Sequence, residues 1–166
     1  MKILILVSLF FIVGCRSGTA DYDYEHHAFD QQIVARLPYY DSISRVLIQN
    51  FPYLLPAVKG QSAFEYRRSE GSGSLYSSLP RPAVEKINGF IQQLGEKYLD
   101  GFDVYKDSSI RFSVRDTYLE KYYVTIRDRL SFYPNGGEMR RREAPDKDTI
   151  LNPNWQYWIR FDEQGL

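Results

Sequence analysis

The chain has 166 residues, with 21 basic and 21 acidic side chains, so its formal net charge at pH 7 is zero. This length suits a single domain that buries a core of its own. The charge balance argues against general nucleic-acid binding, which requires a strong excess of positive charge. Cys15 is the only cysteine, so the chain cannot form an internal disulfide.

The first fifteen residues have the order of a secretion signal. Lys2 supplies a positive charge, and an apolar run from Ile3 to Val13 follows, interrupted only by Ser8. This run is shorter than the ~20 apolar residues that span a bilayer, and its length is typical of a signal-peptide core. The sequence therefore predicts a signal peptide over residues 1–14.

The end of the apolar run resembles the lipobox of bacterial lipoproteins. In that motif an aliphatic residue, a tolerant position and a small residue precede a cysteine, and Ile12, Val13, Gly14 and Cys15 fill these places in order. The resemblance implies cleavage after Gly14 and attachment of acyl chains of the palmitate type at Cys15. Two or more such chains give stable membrane anchoring. An ordinary secretion signal that ends near a cysteine is the alternative.

The residues after the cysteine bear on location and on domain boundaries. Arg16 stands where an aspartate retains some bacterial lipoproteins in the inner membrane, so the resemblance implies the outer membrane, on its periplasmic or surface side. Residues 15–27 are expected to form the lipidated cysteine and a polar tether. Residues 28–166 are expected to form a single α+β domain.

Two or three helices are predicted in the first two-thirds of the domain. One covers Ala28–Arg36 and ends by Pro38. A second follows an N-cap at Asp41 or Ser42 and ends at Pro52. The residues after Pro52 are expected to be irregular.

The best helical pattern comes later, after a short strand and a loop. Residues 63–68 are expected to form the strand, and the Ser/Gly-rich residues 69–74 a flexible loop. Residues 82–100 then form an amphipathic helix with Pro82 in its first turn. Gly101 is predicted to be its C-terminal stop.

Beyond these helices the hydrophobic period changes from 3.6 to 2. Alternation at Ile110–Arg115, Tyr122–Ile126, Leu130–Phe132 and Trp155–Phe161 predicts strands, and Pro134–Gly137 predicts a chain reversal. We expect a four-stranded antiparallel meander, with one face packed on the helix at 82–100.

The two faces of the last predicted strand differ in polarity. Four alternate residues are apolar and are expected to face the core: Trp155, Tyr157, Ile159 and Phe161. Gln156, Trp158 and Arg160 are expected on the opposite face. Trp158 is then either covered by a loop or exposed as an anchor for a partner.

Metal, cofactor and nucleophilic chemistry find little support in the sequence. His26 and His27 are adjacent, so their side chains point apart, and their spacing matches no metal-ligand pattern. The lone cysteine is assigned to the lipid. The chain has neither a G-x-S-x-G motif nor a glycine-rich phosphate loop. We therefore expect no cofactor, no metal and no nucleophilic triad.

A carboxylate pair of the glycoside-hydrolase type is the catalytic option that stays open. Glu120, Asp128 and Asp162 lie on or near the predicted sheet. Carboxylates in sheets usually pair with basic residues across strands, and that structural role is favoured here. The available arginines are Arg111, Arg115, Arg127, Arg129 and Arg160.

Arg140, Arg141 and Arg142 form the densest run of one charge. Such a run can hold the phosphates of an envelope polymer or the acidic patch of a partner protein. Acidic residues on both sides weaken its field at a Debye length of ~8 Å, and a solvated strand edge protected by charge is the alternative. These arginines and Trp158 are the candidate partner-binding residues.

The sequence favours a non-enzymatic, membrane-anchored envelope lipoprotein that binds another protein, as an accessory subunit or as an immunity-type protein. The membrane, through the lipid anchor, and an envelope protein are the expected partners. A tethered cell-wall or polysaccharide hydrolase that uses paired carboxylates is one alternative. A small-ligand carrier with an aromatic pocket is another.

Overall fold

The computed structural model describes residues 22–136 and 146–163, and within them the chain has an α+β fold. Helices come first and strands follow, as the sequence predicts. The α-helices are α1 (Gln31–Ala35), α2 (Leu37–Gln49), α3 (Phe51–Gly60), α4 (Gly73–Ser78) and α5 (Arg81–Leu94). Of the helices in these two ranges, none has the length and apolarity needed to cross a membrane.

Prolines begin three of the helices. Pro38, Pro52 and Pro82 lie in the first turns of α2, α3 and α5, where the missing N–H would have no partner within the helix. α1 and α2 end at Ala35 and Gln49, before Pro38 and Pro52 as predicted, but α2 begins at Leu37 and not after an N-cap at Asp41 or Ser42. An aspartate caps the first helix, since the Asp30 side chain accepts from the Gln32 N–H at 2.8 Å.

Two segments expected to be irregular are helical. α3 continues through Pro56, and its Leu54 and Val58 are fully buried. The predicted flexible loop at 69–74 instead contains the end of a 3₁₀ turn and the start of α4. Leu75 of α4 is also fully buried. Burial of these apolar side chains outweighs the poor helix propensity of proline and glycine.

The helix predicted at 82–100 ends earlier, at Leu94. Gly95 follows with a φ of 82°, a conformation that only glycine adopts without strain. A 3₁₀ turn over Glu96–Tyr98 then leads into the sheet. Gly95, and not Gly101, is therefore the C-terminal stop.

The sheet has six antiparallel strands and not four. They are β1 (Ala63–Arg67), β2 (Gly101–Tyr105), β3 (Ile110–Leu119), β4 (Val124–Phe132), β5 (Lys147–Asn152) and β6 (Trp155–Glu163). Their order is β1-β2-β3-β4-β6-β5, so β6 lies between β4 and β5 and the sheet is not a simple meander. The two strands predicted at Tyr122–Ile126 and Leu130–Phe132 form the single strand β4. β2 and β5 were not predicted.

The helices cover one face of the sheet. Tyr40 of α2 contacts Phe112 of β3 edge-on, with ring centroids 5.2 Å apart, and its hydroxyl donates to the Tyr98 carbonyl. The predicted core face of β6 is confirmed, since its four apolar residues are buried: Trp155, Tyr157, Ile159 and Phe161.

The chain packs on the sheet from Tyr22 onward. The rings of Tyr22, Tyr24 and His27 lie within 6.0 Å of the Phe161 ring. The Tyr24 hydroxyl also donates to Glu163 at 2.5 Å. Residues 22–27 therefore pack on the domain and do not belong to a tether. The predicted signal peptide, Cys15 and the rest of the predicted tether, residues 1–21, lie outside the described residues.

Two glycine-to-alanine substitutions should change stability in opposite directions. A Cβ at Gly101 would overlap the Tyr66 carbonyl oxygen of β1, so Gly101→Ala should cost about 2 kcal/mol. A Cβ at Gly89, inside α5, meets no atom within 4 Å, so Gly89→Ala should stabilise by about 1 kcal/mol. Urea unfolding of residues 16–166 measures both changes, and destabilisation of similar size by both would contradict the close approach of β1 and β2.

Candidate functional site

Asp128 is the most buried of the three predicted carboxylates. It lies on the helix-covered face of β4 and is only 2% exposed. Its Oδ2 accepts from the Arg115 guanidinium at 2.8 and 3.1 Å, and its Oδ1 accepts from the Tyr157 hydroxyl at 2.5 Å. Both partners donate to the carboxylate, so this geometry suits a structural ion pair and not a general acid.

A β-bulge brings Arg115 to this buried carboxylate. The register of β3 against β4 shifts between Ser113 and Arg115, which turns Arg115 onto the helix-covered face directly opposite Asp128. Arg115 also pairs with Asp30 of the α1 cap at 3.1 Å. Burial, and after it the Asp128 charge, raises the pKa of Tyr157, so the phenol stays protonated as a donor.

The three predicted carboxylates are not brought together. Asp162 lies on the opposite face of the sheet from Asp128, where it pairs with Arg127 and with Arg160, the latter at 2.7 Å. Glu120 is exposed in a 3₁₀ turn between β3 and β4. A pair that flanks one glycosidic bond requires both carboxyl groups on one side of the sheet.

Both histidines have local partners. His26 contacts Asp23 at 2.6 Å, and His27 contacts the Tyr22 hydroxyl at 2.5 Å. Burial lowers the pKa of His27, which packs on Phe161. Across residues 22–136 and 146–163, no group of three or more His, Cys, Asp or Glu side chains is placed to hold a metal ion.

The face of the sheet opposite the helices, which we call the open face, is polar. Its main side chains are Arg67, Asp103, Tyr105, Arg111, Asp116, Arg127, Arg129, Ser131, Gln156, Trp158, Arg160 and Asp162. Ion pairs cross this face between neighbouring strands, for example Arg67–Asp103 and Arg129–Asp116, each at 2.7 Å. This is the predicted cross-strand pairing of arginines with carboxylates.

Trp158 lies on the open face but is only 5% exposed. Its Nε1–H donates to the Ser131 hydroxyl at 3.0 Å. Gln156 on the same face is also buried and donates to Asp148 at 3.0 Å, whereas Arg160 is exposed. Trp158 was predicted to be either covered or exposed as an anchor for a partner, and its burial shows that it is not exposed. Arg140, Arg141 and Arg142 lie outside the described residues.

Arg111 stands apart from the other arginines of the open face. Its guanidinium carbon lies 5.3 Å from the Tyr105 ring centroid and 5.6 Å from that of Trp158. It borders a cavity of about 500 Å³ that Lys106 and Ser109 also line. Its Nε is buried and has no hydrogen-bond partner. From the sequence, Arg111 was expected only to pair with carboxylates, and no local pattern indicated this cavity.

Comparisons with known protein families, with curated proteins and with solved structures found no match to this chain.

Proposed function

We propose that this protein is a lipid-anchored protein of the bacterial envelope whose α+β domain binds a partner protein without catalysis. The lipobox at residues 12–15 supports the anchor, and Arg16 supports the outer membrane as its location. The open face of the sheet carries the binding function. The proposal rests on the positions of the candidate carboxylates, which lie on opposite faces of the sheet. Carboxylates separated in this way favour binding over hydrolysis.

The expected partner is a protein that presents an acidic side chain to the open face. Every ion-paired arginine there is neutralised by an aspartate, whereas Arg111 forms no ion pair with a described residue and borders a cavity. Charge complementarity of this kind selects partners and orients them. The same cavity supports a small-ligand carrier as the second candidate function.

The anchor is tested by fatty-acid labelling in cells. Because Cys15 is the only cysteine, we expect the wild-type chain to incorporate labelled palmitate and Cys15→Ala to lose the label and stay unprocessed. Val13→Ala, at the tolerant position, is the matched control and should keep the label. Labelled Cys15→Ala protein, or an unlabelled wild type, would rule out the anchor. Density fractionation of the two membranes then tests the location.

The binding function is tested by crosslinking in intact cells, followed by purification of the lipidated protein from its envelope. A defined partner whose recovery falls in Arg111→Gln supports the proposal. The competing hydrolase is tested by incubating residues 16–166 with peptidoglycan and complex glycans. Turnover that is lost in Glu120→Gln or Asp162→Asn, with the fold intact, would replace binding by hydrolysis as the function.

A further inference from the structure

Arg111 is the one arginine of the open face that forms no ion pair with a described residue. The others are held by aspartates, in the pairs Arg67–Asp103, Arg127–Asp116, Arg127–Asp162, Arg129–Asp116 and Arg160–Asp162. Among the described residues Arg111 has neither a carboxylate nor a carbonyl oxygen as a hydrogen-bond partner, and its Nε is both buried and unsatisfied. Buried polar groups without a partner are rare in folded proteins, and a bound ligand is one way in which they are satisfied.

The strand register alone would give Arg111 a partner. It lies directly opposite Asp103 in the pairing of β2 with β3. Asp103, however, accepts from Arg67 Nη1 of β1 at 2.7 Å, and its side chain is only 15% exposed. Asp103 is therefore paired with Arg67, and Arg111, although it lies opposite this carboxylate, forms no ion pair with a described residue.

The guanidinium of Arg111 is positioned by two aromatic rings. Tyr105 and Trp158 lie near it at 5.3 and 5.6 Å, within the range of cation–π attraction. Trp158 is itself held by its hydrogen bond to Ser131. Because these rings already orient the planar guanidinium group of Arg111, less conformational entropy is lost when the group binds an anion.

The adjoining cavity is positively charged and rich in donors. It has a volume of about 500 Å³, and Lys106 adds a second cation to its wall. Asp107 is the one acidic residue among the described residues of the lining, and its Oδ1 already accepts from the Ser109 N–H and hydroxyl at 3.0 and 2.6 Å. Two cations thus face one carboxylate that is engaged in the β2–β3 turn.

We propose that this cavity is an oxyanion-binding site, in which Arg111 grips a phosphate or carboxylate group with its guanidinium fork and Lys106 supplies a second positive charge. Arginine suits such planar, bidentate recognition, and lysine acts as a point charge beside it. The anion can be a small free molecule or a group carried by a larger partner. The site deepens the proposed function, since it assigns Arg111 as the contact for an acidic group. Its failure would remove that contact but leave the lipid anchor and partner binding through the rest of the open face to their own tests.

The test is a titration of the mature protein, produced from the full-length chain, followed by ¹⁵N NMR of the Arg111 side chain and the Ser109 amide. Inorganic phosphate and acetate are added separately at constant ionic strength. We expect saturable shifts at both positions with at least one anion, with a Kd on the order of 1 mM. An acidic peptide that binds at least tenfold more tightly than acetate would identify a partner-borne carboxylate as the source, and equal affinities would identify a free anion.

Three variants make the result specific. Arg111→Gln should weaken binding at least tenfold, and Arg111→Lys, which keeps the charge without the fork, should fall between it and the wild type. Arg160→Gln is the matched control, because it removes an exposed, paired arginine of the same face. It should leave the affinity unchanged. If Arg111→Gln does not fold, the Arg111→Lys comparison decides. Absence of saturable shifts with both anions, or equal loss in Arg160→Gln, would overturn the proposal.

Discussion

Asp128→Ala should lower the free energy of unfolding by about 3 kcal/mol, because it leaves a charge without its buried partner. Asp128 is 2% exposed and accepts hydrogen bonds from Arg115 and Tyr157. Without the carboxylate, the tyrosine hydroxyl loses its acceptor and the guanidinium keeps only the weaker contact with Asp30. Arg115 is partly exposed, so water compensates some of the loss and the estimate lies at the lower end for buried pairs.

Urea unfolding of residues 16–166 measures this effect. Glu85→Ala is the control, since Glu85 forms an exposed ion pair with Arg81 within α5 and should change stability by less than about 0.5 kcal/mol. The double substitution Asp128→Leu with Arg115→Met should recover part of the loss, because an apolar pair often replaces a buried ion pair without penalty. Stability of Asp128→Ala close to wild type would show that the ion pair is not a structural element.

Ile159→Asp should be the most damaging single change, with an expected loss of about 4 kcal/mol. Ile159 is fully buried in β6, between β4 and β5. Its cross-strand partners are Asp128 of β4 and Lys147 of β5. The Lys147 ammonium already donates to the Glu25 and His27 carbonyl oxygens, so the new carboxylate would meet a dry environment and the like charge of Asp128. The result should appear in urea unfolding as a large decrease in the midpoint of the transition.

The control for this change is the next residue in the strand. Arg160 is exposed on the open face, and Arg160→Gln should change stability by less than about 0.5 kcal/mol. Gln156 lies on the same face but is buried beside Asp148, so Gln156→Asp would add a second carboxylate there and is not a neutral substitution. Similar losses from Ile159→Asp and Arg160→Gln would contradict the register of β6, because a slip of one residue exchanges the two faces.

Local periodicity was enough to predict part of the fold. The alternation over residues 155–161 predicted the core face of β6, because successive side chains of a strand point to opposite sides whatever its neighbours are. The helical pattern after Pro82 predicted α5, because side chains three or four residues apart lie on one face of a helix whatever its neighbours are. Only the predicted end of this helix was wrong. The short strand predicted at 63–68 is β1.

Other parts of the fold and site depend on contacts between residues distant in the chain. β5 has the polar sequence Lys147–Asn152 and is a strand because it pairs with the edge of β6. Asp128 is buried with its charge because a bulge one strand away redirects Arg115 and because the α1 cap supplies Asp30. Arg111 lies opposite Asp103 in the strand register, yet Asp103 accepts from Arg67, two strands away, and Arg111 forms no ion pair with a described residue. Composition and spacing determined which charged groups the chain carries. Pairing across strands decided which of them meet, because that choice depends on the strand register and on packing between distant residues, which no local pattern contains.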